Sequence, residues 1–352
     1  MRDISIARAV AAYSAMQRSL YLPDGRGLYR ETAAPGSAPA YVWSFSRALL
    51  GTLCLAATGA VDRAAVQDRL RGLEQYWFGT AYASAVMPPG GDVYYDDNAW
   101  IGLALILAYR LGLTASLDRP KQLFELARRG WDRRRGGVYW VQQDIGYGLS
   151  NHDRGAGATA GSAEIGLHLH ELGHSSTYDH ACRMIDWVAH HLDASRAGAG
   201  PFLNVVRPDD SIDTNIWSYN QGVMIGALTL QYRISCDPRS LQTAEAIAHQ
   251  TLATFGDFTN HPPSFNAMCF QNLLMLHALS TDSALKEAII GAMHRYGDWA
   301  WTTARDPEDL FYFDDAGRPA VGRQPARVQD QGALTQLYAL LAWDAQGYGK
   351  LT

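Results

Sequence analysis

The chain has 352 residues, of which 47% are hydrophobic, and 30 Lys and Arg against 35 Asp and Glu give a net charge of −5. No basic block marks a binder of nucleic acid or of an anionic membrane surface, so an uncharged partner is expected. No apolar stretch approaches the roughly 18 residues of a membrane span. Since no linker or composition break divides the chain, a single domain over residues 1–352 is predicted.

The cysteines indicate a reducing compartment. They are widely spaced and form no C-x-x-C or zinc-type pattern, which favours reduced thiols. The N-terminus lacks the basic-then-apolar layout of a signal peptide, and residues 3–20 already read as a helix. We therefore expect a cytoplasmic protein, and a monomer. The cysteines concerned are Cys54, Cys182, Cys236 and Cys269.

Helical periodicity dominates the chain, and two kinds of helix alternate. The first kind has one charged face, which is typical of a helix with one side in water. The second kind is apolar on nearly every side and must be buried. The partly exposed helices are predicted at 3–20, 63–78, 118–130, 177–192, 238–253 and 283–301. The buried helices are predicted at 41–58, 97–112, 160–173, 219–234, 265–280 and 328–345.

The loop lengths predict how these helices are arranged. Connections from a buried helix to the next exposed one are short, whereas most connections in the other direction are long. Antiparallel neighbours then place the long loops at one end, where a binding cleft is expected. An all-α fold follows, an (α/α)6 barrel with inner and outer helices and with strands only in short loop hairpins. An open α-solenoid is the alternative, but it would expose the apolar helices.

The segment 94–100, Tyr-Tyr-Asp-Asp-Asn-Ala-Trp, stands where a polar loop enters a buried helix. Glycoside hydrolysis with retention needs two carboxyl groups about 5–5.5 Å apart, which adjacent residues at a helix start can provide. Two close carboxylates cannot easily both ionise, so one is expected to hold a proton near neutrality. Asp96 and Asp97 are therefore the candidate catalytic residues. The alternative is that they only cap the helix.

Aromatic and amide side chains near the starts of three buried helices are candidates for substrate binding. Rings can flank a sugar, and amides can hydrogen-bond its hydroxyl groups. Ser218-Tyr219-Asn220-Gln221-Gly222 enters its helix in the same manner as the acid pair does. The substrate-binding candidates are Trp43, Tyr94, Tyr95, Asn98, Trp100, Tyr219, Asn220 and Gln221.

A competing motif is His170-Glu171-Leu172-Gly173-His174, which matches the H-E-x-x-H pattern of zinc peptidases. It lies at the end of a buried helix, on the side opposite the long loops, and Gly173 is typical of a helix stop. We therefore predict no metal site and keep a zinc peptidase as an alternative. No glycine-rich phosphate loop is present either, so no cofactor is expected.

Two segments resemble the signatures of glycoside hydrolase family 76, the α-1,6-mannanases. They are residues 94–100 and Tyr219-Asn220-Gln221-Gly222-Val223, and the helix order is similar over nearly the whole chain. The resemblance implies an (α/α)6 barrel and a retaining cleavage of α-mannan or manno-oligosaccharides without a metal, with Asp96 as nucleophile and Asp97 as general acid/base. Segments 151–164 and 202–214 depart from the family pattern. Both are in cleft loops, so they bear on linkage and subsite preference.

Other functions remain open on the sequence alone. A sugar epimerase or isomerase can use the same kind of barrel, although such reactions usually use histidines as acid and base. A glycan-binding protein without catalysis is a further alternative. Cleavage within a chain or at its end is also undecided, because segments 143–160 and 202–214 are candidates for a wall that closes one side of the cleft.

Overall fold

The computed structural model describes residues 2–142, 146, 148–196, 198 and 200–352. Helices dominate these residues, and none of those described is long and apolar enough to cross a membrane. In chain order the helices are α1 (Arg2–Leu20), α2 (Val42–Ala56), α3 (Arg63–Glu74), α4 (Tyr95–Arg110), α5 (Asp118–Arg129), α6 (Ala156–Glu171), α7 (Tyr178–His191), α8 (Ser218–Ser235), α9 (Pro238–Phe255), α10 (Pro263–Leu279), α11 (Ser283–Thr303), α12 (Val328–Leu340) and α13 (Ala345–Tyr348).

In the described part of the chain, six of these helices form a closed inner ring. Helix α2 packs on α4, α4 on α6, α6 on α8, α8 on α10, α10 on α12, and α12 packs on α2 again. The other long helices pack outside this ring, for example α3 against α2 and α9 against α8. Closure of the ring distinguishes a barrel from an open solenoid. The predicted (α/α)6 barrel is therefore confirmed.

The division into inner and outer helices follows from where each sequence places its apolar side chains. Every residue of α2 from Val42 to Leu55 is buried apart from Trp43, which is half-buried. The outer helix α5 instead buries one face, which includes Leu123 and Phe124, and leaves its charged residues on the other face. An amphipathic helix must cover its apolar stripe, whereas an apolar helix must be covered on all sides.

Short strands lie in the loops, as predicted. Strands β1 (Trp77–Phe78) and β2 (Ala81–Tyr82) form a hairpin. Strands β3 (Arg154–Gly155), β4 (Val205–Val206) and β5 (Ile212–Asp213) form an antiparallel sheet in the order β3-β4-β5. This sheet joins the loop before α6 to the loop before α8, which the sequence did not predict. The two loops meet because α6 and α8 are neighbours in the ring.

Amide side chains in the first turns of inner helices hold these loops in place. Asn98 Nδ2 donates to the Tyr82 carbonyl at 3.0 Å, and the Tyr82 N–H donates to Asn98 Oδ1 at 2.8 Å. Both residues are buried, so this pairing satisfies backbone groups that water cannot reach. The same two-way pairing recurs between Gln221 and Phe202 and between Gln331 and Phe311.

We expect Asn98→Ala to lower the free energy of unfolding by roughly 2–4 kcal/mol, because a buried backbone group left unpaired costs about 1–3 kcal/mol. Urea denaturation followed by circular dichroism measures this change. Gln122→Ala is the matched control, since Gln122 is an exposed amide on α5 whose side chain accepts from Arg119. An Asn98→Ala midpoint equal to that of the control would contradict the assigned role.

Candidate active site

The long loops gather at the end of the barrel where the inner helices begin. A cleft of about 270 Å³ opens there, and it is lined from α4, α8 and the loops before α6 and α8. Carboxyl, amide and aromatic groups make up much of its lining, which suits a neutral polar ligand such as a sugar. The lining residues used below are Asp96, Trp140, Asp153, Asn204, Arg207, Asp213 and Tyr219.

Asp96 and Asp97 lie in the first turn of α4. The helix begins at Tyr95, two residues earlier than predicted, and the preceding Tyr94 has extended backbone angles. The start is fixed by the Tyr95 N–H, which donates to the Trp140 carbonyl at 2.9 Å. Carboxylates in the first turn of a helix are stabilised by the positive end of its dipole. The acid pair is thus held by regular backbone and not by a loop.

The two carboxyl groups are half-buried and have different pKa values. Burial raises the pKa of Asp96 to about 6, although hydrogen bonds from the backbone and from the Trp140 side chain oppose this rise. Burial, and next the charge of Asp96, raise the pKa of Asp97 well above its ordinary value, while Arg47 opposes this rise. Of the two carboxyl groups, Asp97 therefore has the stronger tendency to hold a proton.

Arg47 of α2 is the buried cation that acts on Asp97, and its side chain is 1% exposed. Its guanidinium carbon lies 4.8 Å from the centre of the Trp43 ring, and Nε donates to Ser46 Oγ at 3.2 Å. Nη1 has no hydrogen-bond partner among the residues that the structure describes. Burial lowers the pKa of Arg47 to about 9, against the opposing charge of Asp97. A buried arginine without an ion pair is costly and points to a function.

The sequence prediction missed Arg47 because a single charged residue inside an apolar helix does not change the apolar pattern of that helix. A signal was nevertheless present. Arg47 stands four residues after Trp43, so both side chains leave the same face of α2 near its start. Since the start of α2 belongs to the cleft end of the barrel, that face points toward the acid pair.

An arc of aromatic rings follows the starts of the inner helices. Trp43 lies 6.2 Å from Phe265, and Phe265 lies 4.6 Å from Tyr219, in both cases edge to face. Tyr219 in turn lies 6.1 Å from Trp100. A Cβ atom on Gly157 would come within 2.8 Å of the Tyr219 ring, so the glycine leaves room for this arc. Trp43 and Tyr219 are half-buried, whereas Trp100 is buried and forms part of the wall behind them.

Tyr94 also lies at the cleft. Its ring centre is 5.1 Å from that of Trp140, a cleft residue that donates a hydrogen bond to Asp96. The sequence prediction placed Trp140 in a hairpin-like loop but did not include it in the site. Its position depends on two backbone contacts, of Trp140 with Tyr95 and with Asp153, which no local pattern reveals.

Several predicted substrate-binding residues make contacts inside the barrel. The side chains of Asn98 and Gln221 are buried and bound to loop backbone, as described above. Tyr95 is buried against α5, where a Cβ atom on Gly130 would lie 2.2 Å from its ring. Asn220 is fully buried, and its Nδ2 donates to Asn204 at 3.4 Å. Asn98, Gln221 and Tyr95 are thus engaged inside the barrel, whereas Asn220 contacts a residue that lines the cleft.

The two segments that depart from the family pattern form one polar wall of the cleft. Asp213 Oδ2 accepts from Asn204 Nδ2 at 2.8 Å, and Asn204 Oδ1 accepts from the Tyr219 hydroxyl at 3.3 Å. Burial raises the pKa of Asp153, and the nearby charge of Arg207 opposes this rise. The β3-β4-β5 sheet holds these residues together. Residues 143–145 and 147, which belong to the predicted wall segment 143–160, lie outside the described residues.

The H-E-x-x-H motif lies at the other end of α6. Glu171 forms ion pairs with Arg110 and with Arg233, the latter at 2.7 Å, so its carboxylate is engaged by two guanidinium groups. His170 Nδ1 lies 3.3 Å from the Ser175 carbonyl oxygen. A search of the described residues finds no group of three His, Cys, Asp or Glu side chains placed to hold a metal. The motif therefore stabilises the packing of helix ends, through the ion pairs of Glu171 with Arg110 of α4 and Arg233 of α8.

Two adjacent carboxyl groups beside a polar, aromatic cleft are the chemical groups that a glycoside hydrolase uses. The chain belongs to glycosyl hydrolase family 76, whose family model matches residues 5–283. The resemblance seen in the sequence is thereby confirmed.

Solved structures and one curated protein are similar to this chain. The family 76 mannosidase Bt3792 from Bacteroides thetaiotaomicron VPI-5482 is 21% identical with a TM-score of 0.81, covering 96% of this chain and 98% of that chain. An inactive α-1,6-mannanase GH76A of Salegentibacter sp. HEL1_6, in complex with α-1,6-mannotriose, is 17% identical with a TM-score of 0.78, covering 96% and 99%. These likenesses show the fold.

The curated relative is the meiotically up-regulated gene 191 protein of Schizosaccharomyces pombe, which is 24% identical over 193 residues. The match covers 50% of this chain and 43% of that protein, so the chain spans less than half the length of this relative.

Proposed function

We propose that the protein is a retaining glycoside hydrolase that cleaves α-1,6-mannosidic linkages in mannan or manno-oligosaccharides. The observation that carries this proposal is the pair of adjacent carboxyl groups in the first turn of α4, of which Asp96 lines the cleft. The choice of linkage is supported by the similar α-1,6-mannanase, which was seen with α-1,6-mannotriose.

The first step uses Asp96 as nucleophile and Asp97 as acid. The Asp96 carboxylate attacks the anomeric carbon while Asp97 transfers its proton to the leaving glycosidic oxygen. The raised pKa of Asp97 keeps this proton available near neutral pH. The lower pKa of Asp96, about 6, leaves that carboxylate ionised at the same pH. Roles that differ within one dipeptide thus follow from different surroundings.

The second step reverses the role of Asp97. After proton transfer Asp97 is a carboxylate, and it takes a proton from water as the water attacks the glycosyl–Asp96 ester. The attack releases the sugar with its original anomeric configuration and restores both carboxyl groups. Arg47 supports the preceding proton transfer, because its charge favours the ionised form that Asp97 adopts in the first step. The aromatic arc and the polar wall then hold the sugar between them.

A hydrolysis assay with proton NMR detection tests the proposal. We expect linear α-1,6-mannan to be cut, and the first new reducing ends to carry the α configuration before mutarotation. A β product would overturn the retaining mechanism. Proton exchange at C2 in deuterated water without cleavage would instead identify an isomerase, and binding of manno-oligosaccharides without any product would identify a glycan-binding protein.

A further inference from the structure

A second pocket lies on the outer wall of the barrel, between α5 and α7, and has a volume of about 330 Å³. We call it the basic pocket. It is separate from the cleft and shares none of the cleft residues described above. The residues that define it here are Glu125, Arg128, Arg129, Trp131, Arg133 and Arg183.

Positive charges outnumber negative charges in the lining of the basic pocket. Among the described residues that line it, four carry guanidinium groups and one, Glu125, carries a carboxylate. Glu125 is already engaged, since Arg128 Nη1 donates to it at 2.7 Å. Such a concentration of positive charge in a chain of net charge −5 is repulsive by itself, and a bound anion relieves that repulsion.

His180 is exposed to the positive charge of the same arginines. Arg183 Nη2 lies 2.5 Å from His180 Nδ1, so this ring nitrogen is placed to accept a hydrogen bond from the guanidinium group. Burial, and next the charges of Arg128 and Arg183, lower the pKa of His180. The lowered pKa favours the neutral imidazole, so the histidine adds little to the positive charge of the pocket.

The pocket also offers an unused donor and an aromatic surface. Within the described structure, Arg128 Nε is buried and has no hydrogen-bond partner. Trp131 is half-buried, and its backbone pairs with Val138 in the loop that carries Trp140 to the cleft. A planar guanidinium fork suits the oxygens of phosphate and sulfate, and an indole ring suits the face of a sugar.

We propose that the basic pocket binds an oxyanion ester, a phosphate or sulfate group carried on a sugar. Its link to the substrate rests on the proposed function, from which the sugar class is taken; Trp131 of the pocket and Trp140 of the cleft belong to the same loop. Anion binding itself does not require hydrolysis, so the two proposals fail independently.

Binding of inorganic phosphate, mannose 6-phosphate and mannose to the intact protein tests this inference by isothermal titration calorimetry. The double variant Arg128→Gln, Arg183→Gln is expected to bind mannose 6-phosphate at least tenfold more weakly than the wild type. Arg239→Gln is the matched control, because Arg239 is an arginine on α9 that is 86% exposed. Both variants should cut neutral mannan at the wild-type rate.

Each result of these binding measurements supports or overturns the proposed anion site. Mannose 6-phosphate binding tighter than phosphate supports an ester carried on a sugar, whereas equal binding of the two overturns the sugar component and leaves a site for free oxyanions. Equal binding of mannose and mannose 6-phosphate, no saturable binding, or unchanged affinity in the double variant would overturn the anion site. Failure of the wild type to cut mannan, with anion binding retained, would affect only the proposed function.

Discussion

Asp96→Asn and Asp97→Asn are each expected to lower kcat/KM on α-1,6-mannan by about 10²–10⁴-fold or more, the range that acid–base groups and nucleophiles contribute. The physical reason is that an amide can neither attack the anomeric carbon nor exchange a proton at neutral pH. The side chains are equal in size, so the fold and the melting temperature should stay close to those of the wild type. Steady-state kinetics and thermal denaturation measure both quantities.

Azide, added as a competing nucleophile, distinguishes the role of Asp96 from the role of Asp97. An aryl mannoside with a good leaving group needs no acid, so Asp97→Asn should still form the glycosyl–enzyme ester, and azide should then give the α-mannosyl azide. In Asp96→Ala the space left by the missing carboxylate admits azide directly to the anomeric carbon, and the β-mannosyl azide is expected. Exchange of these two products between the variants would exchange the assigned roles, and wild-type rates in either variant would remove that residue from the mechanism.

Arg47→Met is expected to lower kcat on mannan by roughly 10- to 100-fold, equivalent to roughly 1–3 kcal/mol of lost transition-state stabilisation. Asp97 becomes negative as it gives up its proton, and Arg47 is the buried cation that acts on this charge. Methionine keeps the length and apolar stem of the side chain. Burial and the charge of Asp96 raise the pKa of Asp97 and so favour its neutral form, and the free energy of unfolding should therefore not fall.

The pH profile distinguishes an electrostatic role for Arg47 from a structural one. The positive charge lowers the pKa of Asp97, so its removal should move the alkaline limb of kcat/KM to higher pH. The acid limb, near pH 6, belongs to Asp96 and should not move. Arg47→Lys should restore part of the rate. Arg69→Met is the control, because Arg69 is also buried but pairs with Asp68; an equal change in its pH profile would contradict the assignment.

The fold could be predicted because its main signal is local. An inner helix such as α4 is apolar all round and an outer helix such as α5 is not, so the alternation alone gives the ring. The acid pair could be found for the same reason, since Asp96 and Asp97 stand at the boundary between a polar loop and an apolar helix. Both the helix pattern and the acid pair can be recognised from a few consecutive residues.

The remaining site residues could not be assigned because their roles depend on direction and on distant contacts. Asn98 and Asn220 look alike at a helix start, but one binds the backbone of Tyr82 and the other faces Asn204. Asp213 comes to the cleft only because β5 pairs with β4, and β4 with β3 from another loop. Sequence periodicity tells which side of a helix is buried but not which partner it meets.

The closure of the inner ring sets the order in which the barrel can be completed during synthesis. Helix α2 packs against α12 in the ring. The outer helix α1 packs mainly on α12 and to a lesser extent on α2. Residue 340 must therefore leave the ribosome before α1 and α2 find their permanent contacts. Until then their apolar flanks stay exposed, a condition that favours aggregation and calls for chaperones. Contacts between such distant parts of a chain also slow folding.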